Sequence, residues 1–383
     1  MQIFDTIVLG TGGVGAAALF HLARRGQRVL GLDRFPPGHD RGSSHGQTRL
    51  IRQAYYEQPD YVPLLKRAYE LWDELSRLVG KQLFFPVGVL QVGARNGRVI
   101  PGVLASAALH GLAVDELSSA DVAERFPGFQ LTDTLGAVFE RNAGYLLVEE
   151  CVLAHAAQAV ANGAVLQSGE TVLGWKPVGS GVEVVTDRAR YCSKSLVITA
   201  GAWAGPLLAD LGVPLQVVRK PLYWFAAPDE GYHQERGGPG FIFETPEGNF
   251  YGFPKRDSAG VKVAEHSGGD FVFDPLKVDR SPHAGETTRV QAFLAKYMPG
   301  VSSEQTGFAV CLYTLSPDRN FLVDRHPAAP HVSFAAGLSG HGFKFTSVLG
   351  EVLADLATEG TTRLPIEFLS ARRPGLRGLA KMT

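Results

Sequence analysis

The segment Gly10-Thr11-Gly12-Gly13-Val14-Gly15 fits the spacing GxGxxG, and an acid, Asp33, follows one predicted helix and one predicted strand later. This combination suits a dinucleotide. Gly10 permits a tight turn, Gly12 lets the backbone approach a pyrophosphate, and Gly15 lets the helix lie close on the strand. Asp33 stands where a carboxylate accepts hydrogen bonds from adenosine ribose hydroxyls. The bland reading is a glycine turn with an unrelated surface aspartate; strand, turn, helix and acid in register favour the dinucleotide. Other chemistry-bearing side chains are less specific. Arg49 and Arg52 lie three apart in a glycine- and serine-containing loop, a pattern that by itself suits a solvated or phosphate-facing pair. Lys262, in Gly260-Val261-Lys262-Val263, reads as a surface lysine on a strand. Cys311 continues the apolar run Phe308-Ala309-Val310, where an ordinary buried thiol is expected.

The elements that must position these groups begin with a strand over 5–9, the glycine turn, a helix with Ala16, Leu19, Leu22 and Ala23 on one face, a stop at Gly26 and a strand over 28–32. That is a βαβ start. Residues 61–78 place Leu64, Leu65, Ala68, Leu71, Trp72, Leu75 and Leu78 at helical spacing. Short β-rich runs over 84–92 and 217–273 read as one antiparallel sheet. Between them, 149–160 is helical and 182–199 is strand-like, ending in Ala200-Gly201-Ala202-Trp203, a second approach of backbone glycine to something. A helix over 287–297 precedes 307–324, and the glycine-rich turn Gly337 to Gly342 opens a last helix over 345–356. Glycine turns recurring this far along the chain fit a long flavin dinucleotide better than NAD. The turn before the last helix suits it too, because a helix N-terminus stabilises the negative charge that collects at N1 and C2=O of a reduced flavin.

Composition bounds the rest. With 45% hydrophobic and 20% charged residues, the chain is globular and intrinsic disorder is excluded. Its 37 basic and 38 acidic side chains leave a formal charge of −1, without the electrostatic footing that nucleic-acid binding requires. No apolar run reaches the length of a membrane-spanning helix, and residues 1–9 lack the basic start of a signal peptide, so a cytoplasmic protein without membrane partners is expected. Cys151, Cys192 and Cys311 are odd in number and far apart, which argues against a disulfide framework and a zinc site; no metal is expected.

Three segments carry a family resemblance: Gly42-Ser43-Ser44-His45-Gly46-Gln47-Thr48-Arg49-Leu50-Ile51-Arg52, Cys311-Leu312-Tyr313, and Gly337-Leu338-Ser339-Gly340-His341-Gly342-Phe343-Lys344. With the order of elements, they resemble the monomeric sarcosine oxidase and N-methyl-L-tryptophan oxidase family over nearly the whole chain. The resemblance implies a D-amino-acid-oxidase-like α/β fold: a Rossmann-like FAD-binding domain (1–83, 146–216 and 310–383) interleaved with an antiparallel-sheet substrate domain (84–145 and 217–309). It implies FAD joined covalently to Cys311, Arg52 and Lys344 on the substrate carboxylate, Arg49 at the flavin face, and Lys262 promoting reaction of reduced flavin with oxygen, with Lys255 the competing assignment. His266, Tyr251, Tyr313 and Gly340 become pocket residues, and His266 or solvent takes the substrate amine proton. Ser43, His45, Thr48, Val172, Ala200, Gly201, Trp203, Gly342 and Phe343 join the cofactor contacts.

The activity so implied is oxidation of a secondary amino acid such as sarcosine or N-methyl-L-tryptophan, by a monomer, with O2 as acceptor and hydrogen peroxide as product. A cyclic imino-acid oxidase, a flavin dehydrogenase with another acceptor, and a flavin-binding protein without turnover are the alternatives. Two departures bear on the pocket: Ser44-His45-Gly46-Gln47 stands where His-His-Gly-Asp is common, and Tyr56 where glycine is usual. The segment 225–240 diverges most, and it could form part of the substrate entrance.

Overall fold

A computed structural model describes residues 3–376; residues 1–2 and 377–383, which open the segment read for a signal peptide and close the chain, lie outside the described residues. The chain opens with β1 (Ile3–Leu9), α1 (Gly13–Arg24) and β2 (Val29–Asp33), followed by β3 (Thr48–Ile51) and α2 (Val62–Val79). Next come β4 (Phe84–Phe85), β5 (Val89–Ala94), α3 (Val99–His110), β6 (Asp115–Leu117), α4 (Ser119–Arg125), β7 (Leu135–Glu140) and β8 (Gly144–Leu147). Helix α5 (Val148–Ala161) leads into β9 (Val165–Ser168), β10 (Val172–Val178), β11 (Gly181–Thr186) and β12 (Arg190–Ile198). After the short α6 (Ala204–Leu207) come β13 (Gln216–Phe225), β14 (Gly240–Thr245), β15 (Gly248–Phe253) and β16 (Val261–Glu265). The chain continues through α7 (Ala284–Tyr297), β17 (Gln305–Leu315), β18 (Leu322–His326), β19 (Ala329–Ala336) and α8 (Thr346–Thr358).

Among the described residues these elements form a mixed α/β fold with two eight-stranded sheets and a small three-stranded one. In the first, β9, β2, β1, β12 and β19 run parallel, β11 and β18 flank them antiparallel, and β10 pairs antiparallel with β11 at the edge. Helix α1 lies on this sheet between α5 and α8. Ala16, Ala17 and Ala18 let α8 come close: a Cβ on Gly350 would stand 2.5 Å from that of Ala17. The helix predicted over 61–78 forms with its apolar face buried, except that Leu78 is half exposed. Its C-cap, Gly80, has φ +64° and ends the helix in the left-handed conformation that glycine tolerates.

The second sheet has the order β17-β13-β16-β15-β14-β5-β7-β6. It is not wholly antiparallel as expected: β5 and β14 pair in parallel, because a long excursion of the chain brings β14 back beside an earlier strand. Nor does the strand pattern continue to 273; after β16 the chain leaves the sheet, and within this stretch its backbone pairs with β13 again at the bridge Val218–Phe271. An aromatic core of Phe225, Phe241, Phe243, Phe250 and Phe293 joins this sheet to α7, with Phe250 and Phe293 stacked at 4.4 Å. The boundaries expected at 145/146 and 309/310 fall inside β8 and β17. No helix among the described residues is long and apolar enough to cross a membrane.

Candidate active site

One cavity of about 420 Å³ runs from the glycine turn of β1–α1, past the loop before β3, to the inner face of the second sheet. At its first end, Gly10 has φ +86°, and a Cβ there would lie 2.7 Å from the Thr199 carbonyl oxygen. A Cβ on Gly15 would lie 1.8 Å from the Gly10 carbonyl oxygen, so this position accepts only glycine. Gly10, Gly12, Gly13 and Val14 line the cavity, whereas Gly15 is packed beneath them. Gly12 caps α1 without a side-chain hydrogen bond, and Gly13 N donates to Ser44 Oγ at 3.2 Å, so the N–H groups that follow in the first turn remain for an anion. Asp33 also lines the cavity, but its oxygens already accept from Thr11 N at 2.6 Å and Phe35 N at 2.9 Å, so it holds the turn as well as facing the ligand space. Val172, Ala200, Gly201 and Trp203 form the wall beside it. Trp203 Nε1, Thr314 Oγ1 and Thr346 Oγ1, on lining residues, are buried without a hydrogen-bond partner among the described residues. Unused donors along a channel that begins in a glycine cradle fit an extended, polar-edged dinucleotide.

At mid-cavity, the loop 43–49 is held from several sides. Ser43 Oγ donates to Leu312 O at 2.6 Å. Arg49 donates to Thr48 O at 2.9 Å, to Ser43 O at 3.0 Å and to Cys311 Sγ at 3.0 Å, which puts a fixed positive charge beside the sulfur. Lys262 Nζ, fully buried, donates to Gly46 O at 2.5 Å and to Thr48 O and Oγ1 at 2.9 and 3.2 Å. Burial, and then Arg49, hold its ammonium well below the usual lysine range. Lys262, expected from its strand context alone to be a surface residue, is therefore internal, while Lys255 pairs with Glu230 at the surface. His45, Thr48, Lys262 and Cys311 do not line the cavity; they are buried in the layer against which Arg49 and Ser43 lie. Glu149, which the sequence did not single out, accepts from the backbone N–H groups of Gly46 (2.6 Å) and Gln47 (3.0 Å) and fixes the loop to the start of α5.

The far end is cationic and aromatic. Arg52 is buried, with Nε on Gln91 at 3.0 Å and Nη2 on both oxygens of Glu57 at 2.8 and 2.7 Å; the rings of Tyr55 and Tyr56 lie at 4.5 and 4.8 Å. Burial pushes the Glu57 carboxyl up, but Arg52, His341 and Lys344 outweigh it and hold it at about 2. Lys344 Nζ donates to His341 O at 2.6 Å; burial and Arg52 bring it down to about 7. His266 Nδ1 lies 3.4 Å from Tyr313 OH, which lies 3.3 Å from Tyr251 OH. Burial, then Lys220, press His266 to about 3, which makes it a weak proton acceptor. Gly340 has φ +84°, and a Cβ there would meet the Tyr313 ring at 2.3 Å. Gly342, Phe343 and Lys344 continue the turn into α8. Glu57 and Gln91 escaped sequence reading because nothing in their local pattern marks them as partners of Arg52.

The chain is similar to known proteins over nearly its whole length. A model of the FAD dependent oxidoreductase family matches residues 5–356. The chain is 41% identical to monomeric sarcosine oxidase of Streptomyces avermitilis over 97% of each chain. It is 37% identical to N-methyl-L-tryptophan oxidase of Yersinia pestis, covering 97% of this chain and 99% of that one. The solved structure of NikD, an unusual amino acid oxidase, superposes with a TM-score of 0.84 at 25% identity, covering 97% of this chain and 98% of that one. The glycine cradle, the cationic pocket at the other end of one cavity, and these full-length matches place the chain in the FAD dependent oxidoreductase family, beside the sarcosine and N-methyltryptophan oxidases.

Proposed function

We propose that this protein oxidises N-methyl or other secondary amino acids, with O2 as acceptor and a cytoplasmic monomer as the working unit. The observation that carries the reading is that buried Arg52 and Lys344 share one cavity with the dinucleotide cradle. Bound FAD would take two electrons from the substrate C–N unit and deliver them to oxygen, so that an imine and hydrogen peroxide leave.

The chain's own residues would do the rest. Arg52 and Lys344 bind the substrate carboxylate, the guanidinium by its fork and the ammonium through donors left free by His341. For this, Glu57 must release part of Arg52. The positive charge of Arg49 and Arg52 disfavours an ammonium, so the amine binds unprotonated and its proton passes to solvent. His266, neutral at physiological pH, offers the amine an acceptor nitrogen, and Tyr251 and Tyr313 close the wall that Gly340 leaves room for. Cys311, with Arg49 against its sulfur, would hold the flavin covalently. Ser43, Thr48 and His45 support the loop over which the cofactor would lie, and Val172, Ala200, Gly201, Trp203, Gly342 and Phe343 would flank it.

The test is peroxide and formaldehyde release from the purified yellow protein on adding sarcosine, N-methyl-L-tryptophan and cyclic imino acids in turn. Absence of peroxide with every secondary amino acid would overturn the reading. Colour that stays with acid-precipitated protein, and leaves it in Cys311→Ser, would establish the linkage. Lys262→Met should slow reoxidation by O2 at least about a hundredfold while sparing anaerobic reduction. In the unmodified enzyme, reoxidation should decline with rising pH below the usual lysine range, as Lys262 loses its proton.

A further inference from the structure

Lys220 is a buried cation, 3% exposed, that the mechanism above does not use. It lies on β13, paired across the ladder with Cys311 of β17. Its Nζ donates to three main-chain carbonyls: His266 at 2.8 Å, Ser267 at 2.7 Å and Gly268 at 2.5 Å. An ammonium has three donors, so this turn uses all of them. Successive carbonyls rarely converge on one point; here Gly268 (φ +60°) and Gly269 (φ +109°) supply the left-handed backbone that allows it. The fit is close: a Cβ on Gly269 would stand 3.1 Å from Lys220 Cε and 3.2 Å from Nζ.

His266 is the first residue of that turn. Its N–H donates to Asn249 O at 2.6 Å, and its carbonyl accepts from Lys220, so the backbone on both sides of the imidazole is fixed. The ring then meets Tyr313 OH, and the Tyr313 ring lies 5.3 Å from Lys220 Nζ. His266 and Tyr313 line the cavity, whereas Lys220 does not. We propose that Lys220 is a positioning residue of the substrate pocket, setting His266 against Tyr313 by gathering the carbonyls of the turn that carries it. Without it, three carbonyls of a turn that is half-buried at His266 and Ser267 and exposed at Gly268 lose the group that gathers them, and the turn is free to reorganise toward water.

The proposal rests on the cavity end being the amino-acid pocket, and its test separates the two. Flavin-loaded wild type, Lys220→Met, His266→Ala and the double variant are compared by KM and kcat for the best N-methyl substrate. The Kd of acetate, read from the flavin absorbance spectrum, gives a measure independent of turnover. Lys220→Met should raise KM and the acetate Kd about tenfold and change kcat less than about threefold. In the His266→Ala background the same substitution should change either constant by less than about twofold, since a residue that acts through His266 has nothing left to position. Wild-type constants in Lys220→Met, or an equal loss in both backgrounds, would overturn the proposal. A general structural role would lower the melting temperature without this dependence on His266. Should Lys220→Met not fold, Lys220→Arg keeps the charge but cannot meet three convergent carbonyls with a planar fork. It should show a rise of about threefold that disappears with His266→Ala, and no rise would overturn the proposal. A wild-type protein that gives neither peroxide nor an acetate-induced spectrum would instead refute the pocket assignment, and the proposal with it.

Discussion

Arg52 illustrates how a proposed substrate-binding group can be stored. A buried guanidinium without a counter-ion is costly, and Glu57 supplies one by a bidentate pair at 2.7–2.8 Å. An incoming carboxylate therefore competes with an internal one. Glu57→Gln should relieve that competition and lower KM about fivefold, while costing the ligand-free protein roughly 3 kcal/mol because Arg52 is left buried and unpaired. Steady-state kinetics and thermal melting with and without acetate check both signs. An unchanged KM would mean that Glu57 stays on Arg52 when substrate is bound. Arg49, Arg52, Lys262 and Lys344 were all legible as candidates once the family resemblance was recognised. Glu57 and Lys220 were not, since their importance comes from partners that only the fold brings near.

At the scale of elements, local signals were readable and distant pairings were not. The βαβ start and α2 follow from apolar periodicity and glycine punctuation, and both form within a residue or two of expectation. Helix α3 lacks that contrast: Ala105 and Leu109 lie exposed on it, opposite buried Val99, Val103 and Ala107, so no polar face marks it out. The parallel pairing of β5 with β14 joins segments about 150 residues apart, beyond any local pattern. The loop 43–49 shows what such distant contacts do. Its register depends on Glu149 at the first turn of α5, where the carboxylate also complements the helix N-terminus. Glu149→Ala should cost about 2–3 kcal/mol by leaving two loop N–H groups unpaired. Flavin content should fall more than secondary structure does, as absorbance and far-ultraviolet circular dichroism measured together would show.

Across the whole molecule, histidines set an acid limit. His21 on α1 and His155 on α5 are buried, and desolvation presses each from 6.5 to about 3. Unfolded chain would protonate both near pH 6.5, whereas the folded chain resists until much lower pH. Stability from this pair is therefore complete above about pH 6.5 and is lost as pH falls toward 3, at roughly 1.4 kcal/mol per pH unit for each histidine. Melting temperature should drop steeply between pH 6 and 4, and less so in His21→Gln/His155→Gln. A flat profile over that range would show that the pair is not held neutral. Neither histidine stood out in the sequence, because a helix that is apolar on its inner face gives no sign that an imidazole on that face has no water.

Strand β17 carries Cys311 and Tyr313 two residues apart, hence on one face, and its long ladder with β13 fixes both positions. The proposed flavin anchor and the pocket wall thus share a single register. Inserting or deleting one residue here would turn both side chains to the opposite face of the sheet at once. Divergence of substrate range along this strand must then proceed by substitution alone. The segment 226–239 lies between strands rather than within one, but none of its residues lines the cavity and Tyr232 packs in the aromatic core, so the substrate entrance expected there is not found.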